Sequence, residues 1–107
     1  MSVKKGNRYK YKTKKYFENL GYNVEFLETY IVYKRGDSLV YKHKDILYSD
    51  LIVYNENEVM LVQVKVNKKN IAEARKNYDK LKLPSCIKKL IVVWIPGLDK
   101  PHILCYN

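Results

Sequence analysis

The sequence predicts an α/β (α+β) fold, a mixed β-sheet flanked by helices in the element order α-β-β-β-β-α-β-β. Three features indicate it: a basic amphipathic segment at the N-terminus, two apolar runs around a polar turn between residues 50 and 66, and a continuous apolar run over residues 90–95. The length of 107 residues and the 47% hydrophobic content suit one packed domain. We therefore expect a single domain over residues 1–107.

The N-terminal segment predicts an amphipathic helix that begins near Asn7 as its N-cap and ends before Gly21. Its buried stripe follows helical spacing and comprises Tyr9, Thr13, Tyr16, Phe17 and Leu20. The first fifteen residues contain seven basic residues and no acidic one. The opposite face of this helix is therefore rich in lysine, which favours contact with nucleic acid over a merely solvated face.

The whole chain is strongly basic, with a formal net charge of +10. Such a balance favours a polyanionic partner, namely DNA, RNA or an anionic membrane surface. The membrane is the weaker alternative, because no apolar run approaches the roughly 20 residues that span a bilayer. A basic N-terminus without an apolar signal core predicts a cytoplasmic location. The basic residues expected to contact phosphates are Lys4, Lys5, Arg8, Lys10, Lys12, Lys14, Lys15, Lys34, Arg35, Lys42, Lys44, Lys68 and Lys69.

The segment that follows the first helix predicts a strand over Val24–Tyr33 with apolar residues on both faces, and therefore an internal or doubly covered strand. Residues 34–38 form a polar turn, and Leu39–Tyr41 is a short returning strand.

The centre of the chain predicts a β-hairpin, with strands over Leu51–Tyr54 and Val59–Val66. Gln63 and Lys65 interrupt the second strand two residues apart, so they project from the same face. Lysine is among the residues least often buried, and its place in so apolar a strand needs a reason. Asp50 enters the first strand beside them. An Asp, a second oxygen ligand and a Lys on one face can hold a divalent metal and orient a water.

The C-terminal part predicts a helix from Ile71 to about Lys82, then a buried strand over residues 90–95 and an edge strand over His102–Tyr106. The helix is long enough for a crossover, so the strands before and after it can be parallel. Cys86 and Cys105 are too few and too far apart for a zinc site, and we expect buried thiols, with a single disulfide as the alternative.

The central hairpin resembles the signature of the PD-(D/E)XK nuclease superfamily, and most closely its small archaeal and viral members, the Holliday-junction-resolvase-like and restriction-endonuclease-like nucleases. The signature has an Asp at a strand start and (D/E/Q)-x-K in the next strand, matched here by S-D-L-I-V-Y at residues 49–54 and V-M-L-V-Q-V-K-V at residues 59–66. The first helix, K-G-N-R-Y…F-E-N-L-G-Y, and the later strand I-V-V-W-I-P-G also lie where the family has them. The resemblance spans nearly the whole chain and implies a restriction-endonuclease-like fold.

The resemblance implies a metal-dependent DNA endonuclease that hydrolyses phosphodiester bonds, with branched DNA as a candidate substrate and a homodimer as its assembly. Asp50, the Gln63 amide oxygen and the Val64 carbonyl would ligate Mg²⁺ or Mn²⁺. Lys65 would position the attacking water and offset charge on the phosphate. No small-molecule cofactor and no membrane partner are expected.

Two positions depart from the family pattern. Gln63 is neutral where an acid is usual, and Lys10 occupies the position where family members often carry a Glu on the first helix. Asp45 is the alternative second carboxylate. The competing hypothesis is a catalytically weakened nucleic-acid-binding protein on the same fold. In a purely structural interpretation, Asp50 caps a turn, Gln63 bonds across the sheet and Lys65 extends to solvent at a strand end.

Overall fold

In the computed structural model the described residues, 2–67 and 71–106, form two helices and seven strands. For residues 2–7, 28–31 and 41–45 the description covers the backbone and not the side chains. The helices are α1 (Ser2–Asn19) and α2 (Ile71–Lys80). The strands are β1 (Asn23–Phe26), β2 (Glu28–Arg35), β3 (Ser38–Asp45), β4 (Leu51–Tyr54), β5 (Val59–Val66), β6 (Ile87–Trp94) and β7 (His102–Tyr106).

Five of the strands form one mixed sheet in the order β1-β4-β5-β6-β7. The β4–β5 hairpin is antiparallel, with Leu51 opposite Val62, and β5 and β6 are parallel, joined through α2. Strand β7 pairs only with β6 and lies at the edge of this sheet. The mixed α/β class, the central hairpin, the crossover and the edge strand are therefore confirmed.

The two helices cover opposite faces of the sheet. Alternate residues of β5 (Met60, Val62 and Val64) pack in the core beneath α1, whereas Ile91 and Val93 of β6 pack beneath α2. This double covering explains the uninterrupted apolar run of β6, which has no solvent-facing side in its second half.

Helix α1 ends as predicted but begins earlier than predicted. The backbone N–H of Gly21 donates to the Glu18 carbonyl (3.0 Å) and that of Tyr22 donates to the Phe17 carbonyl (3.1 Å), the two bonds of a Schellman motif, with Gly21 at φ 93°. The Asn7 cap is wrong, because the helix starts at Ser2. Residues 2–6 contain no proline, and the helix continues through Gly6 in spite of the low helix propensity of glycine.

The strand predicted over Val24–Tyr33 is wrong as one element, because the chain breaks at Leu27 into β1 and β2. The Leu27 N–H donates to the Asp50 carbonyl (2.8 Å), and the Leu27 carbonyl accepts from the Ile46 N–H (3.0 Å). These two bonds turn the chain out of the five-stranded sheet. Strand β1 is thus an edge strand with one-sided burial, and the element order gains one strand, α-β-β-β-β-β-α-β-β.

Strands β2 and β3 form a separate two-stranded sheet whose register pairs Glu28 with Asp45 and Arg35 with Ser38. The returning strand is therefore longer than the predicted Leu39–Tyr41. The described side chains near the tip are exposed, including Val32 at 51% and Leu39 at 60%.

Three smaller outcomes concern the rest of the chain. Helix α2 ends at Lys80, before the predicted Lys82, and buried Lys89 donates to the carbonyls of Tyr78 (2.8 Å) and Leu81 (3.0 Å) at this end. Cys86 and Cys105 are both exposed, so the prediction of buried thiols is wrong. Within the residues that the structure describes, no helix is long and apolar enough to cross a membrane.

Candidate functional site

Asp50 lies at the entrance to β4, where three segments of backbone meet. Its N–H donates to the Val62 carbonyl of β5 (2.8 Å), and its own carbonyl accepts from the Leu27 N–H (2.8 Å). These backbone bonds fix the position of the side chain, which is 3% exposed. The sequence prediction that Asp50 sits beside β5 is met.

The Asp50 carboxylate is surrounded by nitrogen donors. Its Oδ2 accepts from the Val64 backbone N–H (2.8 Å) and from Gln63 Nε2 (3.1 Å). Its Oδ1 lies 3.4 Å from the ammonium of Lys10, whose side chain is 16% exposed. A carboxylate taken out of water requires this kind of compensation, and here a positive charge and two hydrogen bonds supply it.

Lys10 therefore turns away from the outward basic face toward Asp50, and its assignment as a phosphate contact stays a prediction. On α1 it follows buried Tyr9 and precedes buried Thr13 by three residues, so it lies on the flank of the buried stripe. From that flank its side chain reaches Asp50. The resemblance leads one to expect a negatively charged Glu at position 10. The residue present, Lys10, carries a positive charge instead.

The donor set around Asp50 does not fit Mg²⁺. A hard divalent cation requires oxygen ligands, and the described groups that contact the carboxylate are an ammonium, an amide NH₂ and a backbone N–H. Val64 contributes its N–H to the carboxylate, and Gln63 contributes its nitrogen. Among the described side chains, no three His, Cys, Asp or Glu residues come close enough to hold a metal. The three residues predicted as metal ligands, Asp50, Gln63 and Val64, do lie together. In this arrangement Gln63 and Val64 donate hydrogen bonds to the Asp50 carboxylate.

Lys65 lies in a cleft on the α2 side of the sheet. The cleft has a volume of ≈ 170 Å³ and is lined by Tyr48, Gln63, Lys65, Glu73, Ala74 and Asn77. The prediction that Gln63 and Lys65 share one face of β5 fits this arrangement. Gln63 joins the two parts of the site, because it lines the cleft and also donates to Asp50.

Three residues of the cleft were missed from the sequence: Tyr48, Glu73 and Asn77. Glu73 and Asn77 are four residues apart on α2, next to the buried Ala74 and Tyr78. Helical periodicity could have placed them on the flank facing β5. Tyr48 gave no such signal, because it lies in a turn with positive φ angles whose sequence has neither Asn nor Gly at those positions.

That turn connects β3 to β4. The Ser49 N–H donates to the Ile46 carbonyl (3.0 Å), and Leu47 and Tyr48 between them both have φ 54°, the pattern of a type I′ turn. Such turns favour Asn and Gly, because other side chains are strained at positive φ. Ser49 holds the turn against α2 through its hydroxyl, which is 2.9 Å from the Tyr78 hydroxyl.

The N-terminal half of α1 lies at the same end of the sheet as Asp50 and Lys65. Tyr9 packs against Trp94, the last residue of β6 (ring centroids 6.1 Å apart), and Val66 of β5 pairs with that residue. The ammonium of Lys12 lies 4.8 Å from the centre of a Trp94 ring, and the Arg8 guanidinium lies 5.9 Å from that of Tyr9. Two basic side chains of α1 therefore lie at the same end of the sheet as the candidate site.

The opposite end of the sheet is different in charge. There the Tyr22 hydroxyl donates to Glu58 (3.1 Å), and Lys88 pairs with the same carboxylate (3.4 Å). The hydrogen bond to Glu58, together with burial, raises the pKa of Tyr22. The ammonium of Lys14, on the far half of α1, is paired with Glu18 (3.0 Å).

The remaining predicted contact residues are scattered. Lys15 is exposed on α1, and Lys34 and Arg35 are exposed at the tip of the β2–β3 hairpin. The side chains of Lys4, Lys5, Lys42, Lys44 and Asp45, and Lys68 and Lys69 entirely, lie outside the described part of the chain.

Comparison with known proteins adds a fold neighbour. No family model matches the chain, and no curated protein matches it. A solved structure described as "Crystal structure of SSO0001" has a TM-score of 0.55 and 17% sequence identity, and the match covers 99% of this chain and 52% of that one. The chain thus spans about half the length of this neighbour. At this identity the likeness supports the mixed-sheet α/β fold alone.

Proposed function

We propose that the protein binds DNA through the end of the sheet that carries Asp50 and Lys65, and that it binds without cutting. The observation that carries the proposal is the ammonium of Lys10, 3.4 Å from Asp50 Oδ1, where the resemblance to metal-dependent nucleases leads one to expect a further acid. With Lys10 as its counter-ion, Asp50 is a structural anion. The site then has no carboxylate oxygen free of protein donors for a metal.

The charge distribution supports binding. Arg8, Lys12 and Lys65 lie at one end of the sheet. In the described part of the chain, no ion pair joins any of these three to an acidic side chain. Unpaired cations can release condensed counterions from DNA, which makes binding sensitive to salt. The proposed setting is the cytoplasm.

A metal-dependent DNA endonuclease is the second candidate. One observation favours it: on a fold of the predicted mixed α/β class, Gln63 donates to Asp50 and lines the same cleft as Lys65. For that candidate the Lys10 side chain must leave Asp50 when a metal binds. The homodimer implied by the resemblance stays a prediction, which light scattering on the purified protein tests.

Binding and cleavage measured together separate the two candidates. Linear, circular and four-way-junction DNA are incubated with the protein and Mg²⁺ or Mn²⁺, beside Asp50→Ala and Lys65→Ala. We expect that the parent and both variants bind the DNA and that none of the three proteins cleaves it. Cleavage by the parent that both substitutions abolish would establish the nuclease and overturn our proposal.

The binding surface is tested with matched charge changes. The double variant Arg8→Ala/Lys12→Ala lowers the slope of log affinity against log salt by about 2, because two phosphate contacts are lost. Lys80→Ala/Lys82→Ala removes the same charge around the C-terminal end of α2 and leaves the slope unchanged. Equal effects of the two variants would show a general charge effect rather than a defined surface.

A further inference from the structure

The turn beside the cleft presents three large apolar side chains to solvent. Ile46, Leu47 and Tyr48 are 38%, 43% and 44% exposed. Two of these residues also carry a positive φ of 54°, although neither is Gly or Asn. The chain therefore accepts both backbone strain and exposed apolar surface at the same place. Backbone strain and exposed apolar surface tend to occur together at functional sites.

The cleft next to this turn is polar, and its size restricts what can enter. At ≈ 170 Å³ it is smaller than the roughly 300 Å³ of the smallest usual small-molecule sites, so it can enclose only part of a nucleotide, with the rest of the nucleotide at its open rim. Tyr48 forms one wall, and Glu73 and Asn77 of α2 form another. Lys65 lines the cleft without an ion pair to any described residue.

We infer that this cleft takes a single unpaired nucleotide, with its base stacked on the Tyr48 ring and its phosphate on the Lys65 ammonium. This inference rests on the proposed DNA binding and specifies its substrate class as single-stranded or locally unpaired DNA. Glu73 can accept a hydrogen bond from a base amino group, and Asn77 can both donate and accept. In a duplex the bases are stacked on each other, so a ring at the rim of a cleft can reach only a base that has left the helix.

Tyr48 is the residue that distinguishes this inference from general attraction to phosphate. A tyrosine ring offers a flat apolar face to any base, whereas lysine and arginine act on phosphates in single and double strands alike. Loss of the ring therefore weakens binding to single strands and leaves binding to duplexes as it was.

The test measures affinity for a labelled oligothymidine and for the same strand in a duplex by fluorescence anisotropy. Tyr48→Ala lowers the affinity for the single strand about tenfold, the loss of one stacked base, and leaves duplex affinity unchanged. Tyr48→Phe retains the ring and behaves as the parent. Tyr54→Ala removes an exposed tyrosine at the other end of β4 and changes neither affinity.

A fourth variant distinguishes loss of the ring from misfolding as the cause of a lower affinity. Tyr48→Gly removes the ring and also relieves the strain at φ 54°, so its melting temperature rises while its single-strand affinity falls. Equal effects of Tyr48→Ala on both DNA forms, or no effect on either, overturn the inference while DNA binding stands. Failure of the parent to bind either form overturns both the inference and the proposed function.

Discussion

Asp50 and Lys10 are forty positions apart in the sequence and form the ion pair on which the candidate site depends. The carboxylate is almost fully buried, and an ammonium and two N–H donors face it. Removing one partner of such a pair is costly, because the other charge stays buried without compensation.

Replacement of Lys10 by Met tests this interpretation at the residue scale. We expect Lys10→Met to lower the free energy of unfolding by about 3 kcal/mol, because the buried Asp50 loses its counter-ion. Urea denaturation followed by circular dichroism measures the change.

The matched control is Lys14→Met on the same helix. Lys14 is paired with Glu18 at a solvent-exposed i,i+4 position, and such pairs contribute about 0.5 kcal/mol or less. Similar losses in the two variants would indicate that helix α1 is sensitive to any loss of lysine, and that the Lys10–Asp50 pair has no special importance.

The sequence predicted which residues of β4 and β5 lie together at this site, but it did not predict that Lys10 pairs with Asp50. Asp50, Gln63 and Lys65 were predicted from a strand pattern and a resemblance, both of which are local in sequence. The direction of Lys10 depends on how α1 sits on the sheet, and that packing has no local sequence signal. Tyr48 escaped because Leu47-Tyr48 lacks the Asn and Gly that normally indicate a type I′ turn.

At the scale of elements, helix α2 is held at its C-terminal end by a side chain from another element. Lys89 of β6 is 8% exposed, and its ammonium donates to the carbonyl of Tyr78 in the last turn of α2 and to that of Leu81 just after the helix. The end of a helix carries unsatisfied carbonyls, and a positive charge there also complements the helix dipole. Lys89 thus anchors the helix that forms one wall of the cleft.

We expect Lys89→Met to lower the free energy of unfolding by about 2 kcal/mol, because one buried and one partly buried carbonyl lose their donor. The neighbouring Lys88→Met changes it by about 0.5 kcal/mol or less, since Lys88 forms only a surface pair with Glu58. Thermal or urea unfolding measures both. If the two variants were equally stable, the capping role of Lys89 would be contradicted.

Element types were predictable where apolar periodicity was strong, as in β5, β6 and α1, although Leu20 of the predicted buried stripe is 58% exposed. The division between β1 and β2 was not, because Val24–Tyr33 is apolar on both sides of Leu27 and reads as one strand. Its break results from hydrogen bonds to Asp50 and Ile46, residues about twenty positions away. Long-range partners of this kind override local propensity.

At the scale of the whole molecule, the chain carries a net charge of +10, and three of its basic side chains lie at one end of the five-stranded sheet. Arg8 and Lys12 lie on the α1 face and Lys65 on the α2 face at the Asp50 end of the sheet, whereas Lys88 pairs with Glu58 at the other end. Composition alone predicted a polyanionic partner. The surface that would meet that partner became definable only when the direction of α1 on the sheet was known.

Direct titration of the protein with Mn²⁺ tests most simply whether Lys10 takes the place of a metal at Asp50. Isothermal titration calorimetry is performed on the parent, on Asp50→Ala and on Lys10→Glu. We predict no saturable binding by the parent or by Asp50→Ala. Lys10→Glu gains a site, because a second carboxylate then faces Asp50 and two carboxylates can hold a divalent cation. Binding of one Mn²⁺ per chain by the parent, lost in Asp50→Ala, would contradict the account.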